Sequence, residues 1–281
     1  MNVVVESPST LPNAKYGDLY CQRWEPQGDK RAVVLLVHGM GEHCQRYDVL
    51  ASTLARQGVA VCSFDLPGHG QSPGTPGYVE HFSDHVDAVL AYRQQISDFS
   101  ENLPVFLLGH SMGGLISVLT LLRAQDQFKG CILSGSAIMS PLQPGALQML
   151  TIKLLSLLAP KAGVLQLDAS GVSRDPAVVE DYVNDPLVHH GKASARLVKE
   201  LFGSMQIAQD GGQSITVPML IMHGGADSMA AADGSRLLHD RLASNDKTLI
   251  VYDELFHEIF NEPEGPDIHT TVADWVNARI Q

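Results

Sequence analysis

Three residues far apart in the chain carry side chains that together could perform nucleophilic acyl transfer: Ser111, Asp227 and His257. Ser111 lies in Gly109-His110-Ser111-Met112-Gly113, a G-x-S-x-G pentapeptide. The apolar run at 105–108 before it is short enough for a buried strand, and the longer run from Leu115 suits a helix. A serine at the tip of so tight a strand-to-helix turn needs strained backbone angles, and flanking glycines leave room for strand and helix to meet. Its hydroxyl attacks only when a base takes its proton and an acid orients that base.

Asp227 ends the segment HGGAD just beyond an apolar run at 218–222, and His257 follows a second run at 247–251 after a short loop. Both fall at carboxyl ends of expected strands, in the chain order Ser, Asp, His. The other histidines of this region fit less well: His223 is too deep at a strand end, His239 falls within a helix and His269 within the last one. Asp233 and Asp253 read as a helix N-cap and a turn residue. Negative charge on the attacked carbonyl oxygen needs amide donors. The N–H of Met112, next to the nucleophile, and that of Met40, in the loop His38-Gly39-Met40-Gly41, are the candidates.

Elements able to hold these residues recur along the chain. Strands are expected at 16–24, the first an edge strand, then at 32–37, 59–64, 105–108, 130–133, 218–222 and 247–251, with helices at 47–57, 82–96, 234–242 and 268–280. Strand and helix alternating in this way specify an α/β fold, a mostly parallel sheet with helices on both faces and its site at the strand carboxyl ends. From 140 to 212 the alternation stops, and helical patterns follow one another without a strand between them. That segment is expected to be an inserted helical cap on a core formed by 1–139 and 213–281. His81 and His85 have a spacing that can bind metal, but a solvated acidic helix face explains it, and neither metal nor cofactor is expected.

The front of the cap is unusual in charge. From 140 to 167 there are Lys153 and Lys161 and no acidic residue, whereas the whole chain of 281 residues carries a net charge of −12. On a helix at 145–159, Ala146, Leu147, Leu150, Leu154, Leu157 and Leu158 form the face expected to pack inward or line a pocket. Met149, Ile152, Leu155 and Ala159 are left for a greasy partner such as a membrane surface. Leu150, Ile152, Leu154 and Leu155 are the expected acyl-chain contacts. The acidic balance argues against nucleic-acid binding. Cys21, Cys44, Cys62 and Cys131 lack metal or redox spacing, and no run is long and apolar enough to span a bilayer, so a soluble, cytoplasmic protein with at most peripheral membrane contact is expected.

The motifs HGMGEH at 38–43 with Arg46-Tyr47 behind it, DLPGHGQS at 65–72, GHSMGG at 109–114, HGGAD at 223–227 and FHEIFNEPE at 256–264 run the length of the core in order. Together they resemble the monoglyceride lipases and their lysophospholipase-like relatives among the α/β-hydrolases. The resemblance implies an α/β-hydrolase fold, a triad of Ser111, Asp227 and His257, an oxyanion hole at Met40 and Met112, a lid over the site, and a long-chain monoacylglycerol as substrate. In the cap it extends only to Asp185-Pro186-Leu187, so it assigns no head-group contacts. A lysophospholipase or general carboxylesterase would use the same chemistry, and an inactive acyl-lipid binder would keep the fold without it.

Overall fold

Residues 3–6, 8–142 and 144–280 are described by the computed structural model of the protein. In chain order the strands are β1 (Val3–Val5), β2 (Ser9–Leu11), β3 (Leu19–Pro26), β4 (Ala32–Val37), β5 (Val59–Phe64), β6 (Val105–His110), β7 (Gly130–Ser134), β8 (Gly163–Leu165), β9 (Ala193–Ser194), β10 (Met219–Gly224) and β11 (Lys247–Tyr252). The helices are α1 (Asp48–Arg56), α2 (Ser83–Gln95), α3 (Met112–Ala124), α4 (Ala146–Leu158), α5 (Pro176–Asn184), α6 (Ala195–Gly211), α7 (Ala232–Arg241) and α8 (Gly265–Asn277).

The main sheet runs β1-β3-β5-β4-β6-β7-β10-β11, with β2 also on β3. From β5 to β11 the pairings are parallel, while β3 lies antiparallel to β5, β1 and β2. β3 is therefore not the edge strand its mixed polarity suggests; two three-residue strands, too short to leave a period, cover its outer side. Alternate residues of each parallel strand serve opposite faces. Val33 and Leu35 of β4, Leu107 of β6 and Ile221 of β10 pack with α2, α3, α6 and α7. Val34, Leu36, Phe106, Leu108 and Leu220 pack with α1 and α8, including Leu54, Val272 and Trp275. Cover on both faces is why β4, β5, β6 and β7 are buried at every position and read as unbroken apolar runs.

Between β7 and β10 come α4, α5 and α6 together with an antiparallel β8–β9 pair, whose strands of three and two residues have no legible pattern. α6 sends Leu197, Val198, Leu201, Met205 and Ala208 into the same apolar cluster as the sheet, and α4 lies across α6. Helix α4 has the expected extent and the opposite orientation. Leu150 and Leu154 are 62% and 53% exposed, and Leu147, Leu157 and Leu158 are more exposed still. Ile152 packs against the core cluster, Met149 and Leu155 are half-buried, and Ser156 is buried with its hydroxyl donating to the Lys153 carbonyl. The helix has two apolar stripes, and a periodicity argument cannot rank them when the stripe that packs inward is the shorter one and includes a serine.

Helix α3 approaches the sheet very closely. A Cβ on Gly113 would run into the carbonyl oxygens of Val37 and His38, and one on Gly109 into the Gly113 carbonyl and the Ser117 hydroxyl. Gly113→Ala should therefore lower unfolding stability by about 1–3 kcal/mol, the usual cost of overpacking. Urea denaturation checks this, and an unchanged midpoint would mean that α3 can move off the sheet freely.

Candidate active site

Ser111 separates β6 from α3 with φ 54° and ψ −120°. Among the described residues only Asn102 shares a positive φ without being glycine. Backbone hydrogen bonds hold the strained residue on both sides. Its N–H donates to the Ser134 carbonyl at 2.9 Å, and its carbonyl accepts the N–H groups of Gly114, Leu115 and Ala137 at 3.0 to 3.2 Å. The side chain is thus presented above the carboxyl ends of β6 and β7.

Two loops from the far end of the chain meet it there. Ser111 Oγ lies 2.8 Å from His257 Nε2, and His257 Nδ1 lies 2.7 Å from Asp227 Oδ2. An ionised carboxylate only accepts, so Nδ1 carries the proton and Nε2 faces the serine hydroxyl as acceptor. Asp227 Oδ1 accepts the amides of Met229 at 2.7 Å and Ala230 at 2.9 Å, fixing the carboxylate. Burial pushes the Asp227 pKa up, but the His257 charge and bonds from His223, His257 and the Ala230 amide hold it well below the usual carboxylate range. For His257 burial pushes the pKa down, and the Asp227 charge and hydrogen bond, helped by Glu258 and Glu42, carry it above the ordinary value. The ring of His110 lies 4.7 Å from that of His257, closing its other side.

The loop after β4 approaches the nucleophile closely: a Cβ on Gly39 would come within 3.0 Å of Ser111 Cβ. The Gly39 amide is committed to Glu42 Oε1 at 2.5 Å, and Met40, the next residue of the loop, lines the space at Ser111. Gly39, Met40, Glu42, Tyr182, His257 and Glu258 line a space of only about 10 Å³ at the serine, no more than a single water needs. Met40, Leu167 and Tyr182 also border a larger cleft of about 440 Å³, walled by the 165–169 and 189–191 segments.

A family model described as serine aminopeptidase, S33, matches residues 28–264. The monoacylglycerol lipase of Mycolicibacterium smegmatis is 38% identical over 257 residues, 92% of this chain and 92% of that protein. The monoglyceride lipase of Rattus norvegicus is 34% identical over 282 residues, 99% of this chain and 93% of its own. Among solved structures, the monoacylglycerol lipase of Paleococcus ferrophilus aligns with a TM-score of 0.85 at 31% identity, covering 93% of this chain and 99% of that one. The chain belongs to the monoglyceride lipase family of α/β-hydrolases.

In this family member Ser111, His257 and Asp227 come together, Met112 is buried at the start of α3, and Met40 stands at the pocket mouth. The four expected cap contacts do not join them: Leu150, Ile152, Leu154 and Leu155 line neither the space at Ser111 nor the cleft beside it. His81 is exposed and His85 buried, so the two do not share a face; among the described residues no three His, Cys, Asp or Glu side chains converge to hold a metal. Asp233 sits in the first turn of α7, whose N-cap is Ala231.

Several charged residues at the site were not singled out from the sequence. Arg46 Nη2 donates to Glu258 Oε2 at 2.6 Å while its Nε lies 3.5 Å from Glu42 Oε2, linking the loop after β4 to the loop of His257. Tyr182 of α5 covers the Arg46 guanidinium at 4.7 Å. Glu262, buried, accepts the Phe256 amide at 2.7 Å and pairs with Arg174, bracing the same loop. His43 Nε2 meets Asp185 Oδ2 at 2.8 Å, and the His189 amide donates to the Gly41 carbonyl at 2.7 Å, so the segment after α5 is fastened to the loop after β4. Asp65 takes the amides of Cys44 and Gln71 and holds that loop from below. Arg46, Asp65, Asp185, Glu42, Glu258 and Glu262 all lie in the motifs quoted above, but nothing in those motifs says which of them pair.

The geometry fixes the sign of the pH dependence. His257 must be unprotonated to accept the Ser111 proton, and its pKa lies above the ordinary imidazole value of about 6.5. kcat/KM on a soluble ester should thus be full at alkaline pH and fall on acidification through a pKa above that value. A profile flat to about pH 5 would remove an imidazole from the reaction.

Proposed function

We propose that the protein hydrolyses the carboxylic ester of monoacylglycerols, releasing a fatty acid and glycerol through an acyl-enzyme on Ser111. The observation that carries the reading is the continuous line from Asp227 through His257 to Ser111, with bonds of 2.7 Å and 2.8 Å, ending at a serine held in strained backbone. In the first half-reaction His257 Nε2 takes the Ser111 proton as Oγ adds to the ester carbonyl, and the amides of Met40 and Met112 receive the negative charge. The imidazolium, steadied by Asp227, returns the proton to the departing glycerol oxygen. Water activated by the same imidazole then releases the acid. The Mycolicibacterium smegmatis and Rattus norvegicus relatives, named for this substrate, support the choice of ester.

The residues beside Ser111 favour a neutral head group over a lysophospholipid. Glu42 and Glu258 face the space at the serine with Arg46 between them, and a phosphate there would meet more carboxylate than guanidinium. An inactive lipid binder would have no use for a strained serine bonded to a histidine.

Segment 140–212 acts in this reading as a cap over the 1–139 and 213–281 core, with α6 as its floor and α4 as its outermost piece. Five leucines of α4, together with Leu142, are exposed in one region that carries Lys153 and Lys161 and no carboxylate. An apolar face with basic residues beside it suits peripheral contact with a membrane, where long-chain monoacylglycerols reside. The contact face is the one expected to pack inward, Leu147, Leu150, Leu154, Leu157 and Leu158. Buried free cysteines suit a reducing, cytoplasmic setting, and among the described residues no helix is long and apolar enough to cross a bilayer.

Ser111→Ala should lower kcat at least about 10⁴-fold with folding intact, and abolish fluorophosphonate labelling. Activity near wild type would move the nucleophile elsewhere.

For the membrane contact, Leu150→Asp with Leu154→Asp should cut co-sedimentation with anionic vesicles about tenfold or more. Hydrolysis of long-chain monoacylglycerol in those vesicles should fall in parallel, and a short soluble ester should be spared. Equal losses on both esters would reject the docking role of α4. Ile152→Asp is not a substitute test, because Ile152 packs on the core.

A further inference from the structure

His223, next to last in β10, is fully buried and takes no part in the proton transfers above. Its Nε2 lies 3.1 Å from Asp227 Oδ2 and 3.2 Å from the Ala230 carbonyl, and its Nδ1 lies 2.7 Å from Ser235 Oγ on α7. A carboxylate and a carbonyl are acceptors only, so the proton of the neutral ring sits on Nε2 and the Ser235 hydroxyl donates to Nδ1. The single Nε2–H is therefore shared between the Ala230 carbonyl and Oδ2, the same oxygen that takes the Nδ1–H of His257 at 2.7 Å. With Met229 and Ala230 on Oδ1, the carboxylate is held by four donors, and two of them are imidazoles on one atom.

We propose that His223 is a positioning residue, which shares the Asp227 carboxylate with His257 and so sets how strongly that carboxylate holds the base. The proposal rests on the reading of Asp227 and His257 as triad members. The second donor has two effects. It adds to the hold of the Met229 and Ala230 amides on the carboxylate, and it draws off part of the negative charge that Oδ2 offers to His257. Without it, Oδ2 would serve His257 alone, the imidazolium would be favoured, and a carboxylate held by the two amides on Oδ1 only would orient the ring less well. The other groups acting on His257 are His110 from β6, Glu258 beside it and Glu42 from the loop after β4, with Arg46 paired to both carboxylates.

His223→Gln and His223→Asn test the proposal on the full chain with a short soluble ester. Glutamine carries an amide N–H near the position of Nε2, whereas asparagine carries one near Nδ1 and falls short of Oδ2. The Gln variant should keep the wild-type acid limb of kcat/KM and a kcat within about threefold. The Asn variant should move the limb to higher pH by about half a unit or more and lose about tenfold in kcat, with KM unchanged. Equal behaviour of the two folded variants, or no movement of the limb in Asn, overturns the proposal.

A measurement on the wild-type protein covers the case of a variant that does not fold. Nitrogen-15 NMR of histidine-labelled enzyme at about pH 8 should find the His223 proton on Nε2. A proton on Nδ1 alone overturns the proposal. Asp227→Asn and His257→Ala run alongside. If both retain wild-type kcat, the triad reading fails. If both are inactive while the Gln and Asn variants behave alike, only the role of His223 fails.

Discussion

The arrangement depends on one strained turn, in which Ser111 is held at φ 54° between the middle strand of the sheet and the helix that covers it. Such a conformation costs on the order of 1–3 kcal/mol for a residue with a side chain, and it persists only when its surroundings over-determine it. Here they do. The Ser111 amide is tied to β7 through Ser134, its carbonyl accepts three N–H groups, and Gly109 and Gly113 let α3 settle against β4 and β6. The neighbours of β6 in the sheet then determine what surrounds the serine. β4 delivers the Gly39–Met40 loop, and the segment after β7 supplies the Ala137 amide.

His257 and Asp227 come from the loops after β11 and β10, which lie farther out in the sheet and must be drawn in. Buried charge does this. Arg46 bridges Glu42 and Glu258, Glu262 holds the Phe256 amide and Arg174, and each carboxylate accepts more than one donor. Buried ion pairs add little net stability because desolvation offsets much of their attraction, so their chief physical effect here is to fix the distance between loops. The cap takes part as well. The amides of His257 and Glu258 donate to the carbonyls of Gly171 and Val172, while Asp185 and His189 grip the loop after β4. The rear of the cap is thus mechanically part of the catalytic loops, and α4 stands outside that network.

Much of this was legible in the sequence where burial is two-sided. β4 and β5 run over the expected residues 32–37 and 59–64, because strands covered on both faces leave uninterrupted apolar runs. Ser111, Asp227 and His257 could be read from strand ends and chain order, since the turn chemistry of each is local. What escaped were relations between distant segments. Nothing in Glu42 or Glu258 announces Arg46 as a common partner, and nothing in a five-leucine stripe says whether it faces α6 or water. His223 was judged too deep to be a base. Its depth is correctly read, and it is the reason the ring can reach the buried side of Asp227.

The charges around Ser111 have opposing consequences for the two ions that acyl transfer creates. Asp227, Glu258 and Glu42 all favour the His257 imidazolium, and the same negative charges oppose an oxyanion a few ångströms away. Two features ease the conflict. Arg46 pairs with both Glu42 and Glu258 and offsets part of their charge. Burial and the Glu258 charge raise the pKa of Glu42, which disfavours its charged form. Its oxygen also holds the Gly39 amide, so this carboxylate fixes the backbone next to Met40. Negative charge is thereby concentrated at Asp227, behind the imidazole and farthest from the developing oxygen, the separation that a single histidine serving both half-reactions requires.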